Sequence, residues 1–188
     1  MKHKFRDNEK GFALPLALLL LVVMTIMGLT LVTITSNEHN ANNDKDTNQQ
    51  TFYAAESGIS IAKKYMVDNT SLITGSTQRN LEGDLKFCKA SFFPNLRTSN
   101  GITLGRKSLN EIISTSGAEA TRLGKFSFEY FIAYSPDVNG NNSSAKKKSG
   151  TNNTLYTIYS CGCNESKDKC NAKSNVIVPL EAVVTLIN

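Results

Sequence analysis

From Phe12 to Val32 the chain carries no charged residue, and only Pro15, Thr25, Gly28 and Thr30 interrupt its apolar character. A run of about 20 such residues is long enough to cross a bilayer as a helix. Before it lies a short leader with Lys2, Lys4, Arg6 and Lys10 against Asp7 and Glu9. Excess positive charge stays on the cytoplasmic side, so everything after the run is expected to be exported. A secretory signal has an apolar core of about 7 to 15 residues and a small-residue cleavage site, and this run is longer and lacks an A-x-A pattern.

The junction Glu9-Lys10-Gly11-Phe12 suits cleavage after Gly11. Pro15 supports that reading: inside a helix proline removes a hydrogen bond and clashes with the preceding turn, at about 3 kcal/mol. In a helix beginning at Phe12 it falls in the first turn, where its missing N–H has no intrahelical partner to lose. An uncleaved, kinked signal anchor is the alternative.

Gly11-Phe12, followed by Ala13 to Leu21, resembles the start of type IV pilin-like proteins. The resemblance implies that a prepilin peptidase cuts after Gly11 and methylates the new terminus at Phe12. Most major pilins have glutamate at the fifth mature position, where this chain has Leu16. That departure resembles PilX-type minor pilins and the GspK-type tip pseudopilin of type II secretion. Thr51 to Ile59 also looks like the F-x-A-A-E-x-G/A segment of PilX-type proteins, carried here by Phe52, Ala54, Ala55, Glu56 and Gly58. The motifs cover residues 11 to 64.

What this implies is an α+β pilin-like lollipop: a leader over 1–11, a transmembrane and stalk helix over 12–66, and a disulfide-containing head over 67–188. Phe52, Ala55, Ile59, Ala62 and Met66 recur at helical spacing and are expected to form the buried stalk face. The helix would be about 80 Å long at about 1.5 Å per residue. Gly28, the β-branched residues of Thr30 to Thr35 and the asparagines from Asn37 to Asn48 lower its propensity. A frayed membrane exit, or a segment that unwinds during filament entry, is expected there.

In the head, Leu85, Phe87, Phe92 and Phe93 are expected to pack on the stalk. Asp68 to Asn80 and Pro94 to Gly105 read as connections, and Ser108 to Leu123 as a helix burying Leu109, Ile112 and Ile113. Alternation from Phe126 to Tyr134 predicts a half-buried strand. Leu155 to Tyr159 and Val176 to Leu186 are further strands, with Pro179 favouring an edge or a bulge in the last. A three- or four-stranded antiparallel sheet follows.

Cys88, Cys161, Cys163 and Cys170 all fall on the exported side, where oxidation is expected. Four cysteines allow three pairings. Pairing Cys161 with Cys163 is strained, which leaves two schemes, of which Cys88–Cys161 with Cys163–Cys170 is favoured. The C-x-C-x6-C spacing departs from paired zinc ligands.

The formal net charge is +5. Lys146, Lys147 and Lys148, with Lys167 and Lys169, are candidate surface-binding groups for phosphates or nucleic acid, set against a plain solvated loop. Asp137, Asn139 and Asn141 open like a calcium loop, but glycine is missing from the sixth position and Lys148 stands where a glutamate is needed. His3 and His39 are the only histidines, and no nucleophile–base pair is visible. No catalytic residue, cofactor or metal is expected.

The expected function is that of a minor pilin-like subunit, made in the inner membrane and priming or capping a type IV pilus or pseudopilus. Its partners would be the prepilin peptidase and other minor and major pilins. The alternatives are a bitopic envelope protein with a ligand-binding exported domain, or a pilus-borne adhesin or DNA-binding subunit.

Overall fold

The structure, a computed structural model, describes residues 13–113, 116–135 and 154–186. The chain divides into two compact units, Met1–Lys45 and Asp46–Asn188. The helix α1 spans Ala13–Asp68.

In the first unit α1 exposes its apolar side chains, among them Leu14, Met24, Leu29 and Val32. The stretch read as weak stays α-helical from Gly28 through Asn48. Threonine hydroxyls contribute: Thr25, Thr30 and Thr33 each donate to a carbonyl three residues back at 2.8 Å, and Thr35 to Leu31 at 2.9 Å. A polar group on an apolar helix is thereby satisfied within the helix itself.

The second unit is α+β. A short helix α2 (Thr70–Gly75) precedes β1 (Arg79–Asn80), which pairs with β2 (Asn100–Gly101). The main sheet follows as β3 (Thr103–Ser108), β4 (Ser127–Tyr134), β5 (Thr154–Cys163) and β6 (Ile177–Leu186), antiparallel and in chain order. Pro179 does lie in an edge strand, β6, whose register continues through it without a bulge.

Alternation sorts the sheet residues between two cores. Phe128, Tyr130 and Ile132 of β4, with Tyr156 and Ile158 of β5, pack with Ala54, Ala62 and Met66 of α1. Phe131, Ala133 and Tyr159, with the cysteines, pack with Leu81, Leu85, Phe87, Phe93 and Leu96 on the opposite face. Two of the expected packing arrangements differ in the fold. β4 is buried on both faces rather than one, and the Leu85–Phe93 segment covers the face away from the helix. The physical cause is that β4 carries large apolar side chains on both faces, Phe128, Tyr130 and Ile132 on one and Phe131 on the other, so each face needs a cover.

Other differences are local. Ser108–Leu123 is not one helix: it holds a 3-10 turn at Leu109–Glu111 and the short helix α3 (Ala118–Leu123), which starts after Gly117, whose φ of +69° is in the region that favours glycine. Leu109 is buried, but Ile112 and Ile113 are exposed. The two segments read as connections contain α2, β1, β2 and the start of β3.

Candidate functional site

Gly11 and Phe12, the expected cleavage and methylation positions, lie outside the described residues. What is described begins one residue later, with Pro15 the third residue of α1. There its lack of an N–H costs no intrahelical bond. The N-terminal part of α1 is long and apolar enough to cross a membrane, and none of its apolar window is buried within the chain.

The Phe52–Gly58 motif is split by the fold. Ala54, Ala55 and Gly58 are buried against the sheet, while Phe52 and Glu56 point to solvent. Phe52 therefore leaves the expected buried face, Ile59 is only partly buried, and Thr51 joins that face with no exposure. Close approach explains the choice of residues. A methyl group on Gly58 would collide with Ser160 Oγ and lie 2.8 Å from the Phe128 ring. One on Gly162 would collide with the Thr51 carbonyl and lie 2.8 Å from Ala55 N. Ser160 Oγ then donates to the Ala55 carbonyl at 2.8 Å, tying strand to helix across the seam. Bulk at position 52 could not enter so tight a contact.

On the opposite face lies a charged group that sequence reasoning placed merely on alternating strand positions. The Glu129 side chain has no exposure. Its carboxylate accepts from the backbone N–H groups of Lys86 at 3.0 Å and of Phe87 and Cys88 at 2.8 Å. Arg106, its register partner on β3, donates Nε at 2.8 Å and brings Nη2 to 2.6 Å. The same Nη2 donates to the Asp84 carbonyl at 2.9 Å. A buried carboxylate is tolerated only with such a complete set of donors. The one sequence signal for it was a glutamate within an otherwise uncharged strand.

Cys88 is bonded to Cys161 and Cys163 to Cys170, the two pairs that spacing favoured, and no described cysteine is free. No thiolate remains to bind zinc. Among the described residues no group of three or more histidine, cysteine or acidic side chains could hold a metal ion.

The candidate binding lysines are not brought together. Lys146, Lys147 and Lys148 lie outside the described residues, as does the Asp137–Asn141 segment. Lys167 Nζ is 2.6 Å from Glu111, and Lys169 is exposed two residues on. Cationic side chains that the sequence did not single out, Lys86, Lys89 and Arg97, instead border an open cavity of about 510 Å³. Lys86 also pairs with Asp168 at 3.6 Å.

Comparisons of the chain with protein-family models, with characterised proteins and with solved structures find no match to any of them.

Proposed function

We propose that this chain is a minor pilin-like structural subunit that primes or caps a type IV pilus or related pseudopilus. The observation that carries the reading is the single helix α1: fully exposed and apolar over its first turns, then lined with alanine and glycine where it meets an α+β head. An exposed apolar helix requires either lipid or neighbouring helices around it. A membrane-stored subunit that later joins a filament uses both. Two disulfides suit a small head displayed outside the cell. Leu16 supports a terminal position, since an unpaired buried glutamate would be costly where no neighbouring ammonium is available.

The test is fractionation of cells that make pili or pseudopili. The expected result is the chain in sheared filaments at far lower abundance than the main subunit, with filament number falling on its deletion. Retention of all of it in the membrane, with filaments unaffected, would sink the reading.

The second reading is a bitopic envelope protein whose exported domain binds an anionic ligand. The cavity bordered by Lys86, Lys89 and Arg97 favours it. It requires salt-sensitive binding that weakens when these three are changed to glutamine.

A further inference from the structure

Cys161 and Cys163 lie two residues apart on one face of β5, so both sulfurs are offered to the segment that covers that face. Chain length does not choose between them for Cys88. The two loops differ by two residues, and closure entropy varies only with the logarithm of length, so an unstructured chain closes both at nearly equal frequency. Something in the fold must make the selection.

We propose that Glu129 is the positioning residue that decides which sulfur Cys88 joins. Glu129 stands directly opposite Cys161 in the β4–β5 register, whereas Ser127 stands opposite Cys163. Its carboxylate holds the Cys88 N–H at 2.8 Å and the two preceding N–H groups as well. Arg106, opposite Glu129 on β3, fixes the carboxylate from the other side. Arg106, Glu129 and Cys161 thus form a row across three strands, and Cys88 is clasped over its end. Ser127 in turn donates to the Glu165 carbonyl at 2.6 Å, which holds the Cys163–Cys170 loop over its own row. Each cysteine pair has its own polar guide on β4.

The chemistry is thiol–disulfide exchange with a small-molecule disulfide such as oxidised glutathione. One cysteine thiolate attacks a glutathione sulfur, forming a mixed disulfide and releasing one reduced glutathione. Its partner's thiolate then attacks the protein sulfur of the mixed disulfide and expels the second. The two cysteines lose two electrons, glutathione disulfide gains them, and both thiol protons end on the released glutathiones. Glu129 takes no part in bond making; it sets which partner is within reach.

The experiment uses the full chain in detergent with Cys170→Ser, which leaves Cys88 to choose between Cys161 and Cys163. Reduced protein is oxidised in a glutathione buffer, and the pairs are read by mass mapping of a non-reducing digest. In buffer the expected ratio is at least about tenfold in favour of Cys161, and in concentrated urea it is near one. An equal ratio in buffer and in urea would overturn the proposal, whatever the variants do. Glu129→Gln in buffer is expected to bring the ratio toward one, and Glu129→Asp to restore part of the preference. Met66→Ala, which weakens the core on the other face, is the control for general destabilisation and is expected to keep the preference. A Glu129→Gln chain that still chooses Cys161, or a Met66→Ala chain that mispairs equally, would also overturn it.

Discussion

Gly162 of β5 packs directly beneath the carbonyl of Thr51 on α1, so close that no side chain fits between strand and helix. Backbone meets backbone there, and neither can move without its element. Gly162→Ala is therefore expected to destabilise the head by about 1 to 3 kcal/mol, as overpacking does. Thermal unfolding of the detergent-solubilised chain measures it, and an unchanged midpoint would contradict this close packing.

At Gly58 the nearest obstacle is a side chain, the Ser160 hydroxyl. Gly58→Ala and Ser160→Ala are each expected to destabilise, the second by about 1 kcal/mol for the lost bond to Ala55. Combined, they should cost less than their sum, because removing the hydroxyl relieves the clash. A double-mutant cycle reads the coupling, and strict additivity would argue against direct contact.

The two disulfides close loops of very different length, with sequence separations of 73 and 7 residues. In the chain-entropy account the long loop contributes about 4 kcal/mol and the short one about 2. Replacing Cys88 and Cys161 together by alanine should lower the unfolding midpoint clearly more than replacing Cys163 and Cys170. The reverse order would show that the Leu85–Phe93 cover is held mainly by other contacts.

Tyr159 is fully buried, and its hydroxyl has no well-formed hydrogen bond among the described residues; nearby Thr157 is engaged with Ser135 at 3.0 Å. Burial pushes the phenol up to about 12 from an ordinary value of 10.0. The folded state holds this proton more tightly than the unfolded one, so the contribution is fully present below pH 10.0 and is lost as pH rises through about 12. Tyr159→Phe should flatten the alkaline fall in stability over that window. Tyr130 and Tyr156, also raised chiefly by burial, keep it from vanishing. An unaltered alkaline profile would contradict the burial of Tyr159.

Much of the architecture was legible because it rests on periodicity. The uncharged run announced the start of α1, and alternation at Phe126–Tyr134 announced β4. The β3 strand was hidden because Thr103–Ser108 contains Gly105, Arg106 and Lys107 and lacks the alternation of an apolar face. Its glycine is needed because the Tyr130 ring occupies the space a side chain would take. The role of the Leu85–Phe93 segment was hidden for another reason. Apolar residues tell that a segment is covered, but not which face of a sheet it covers. The choice of face rests on partners assembled from separate strands: Phe131 and Glu129 on β4, and Tyr159 and Cys161 on β5. The helix–sheet seam was partly legible: Ala54, Ala55 and Gly58 were singled out as a motif, but their smallness gained meaning only beside Ser160 and Gly162.

Processing at Gly11 and entry into a filament are read first from the N-terminal mass of the chain expressed with and without a prepilin peptidase. A peptidase-dependent terminus at Phe12, carrying a methyl group, is expected. An intact Met1 terminus in both cases would contradict it and leave a bitopic envelope protein.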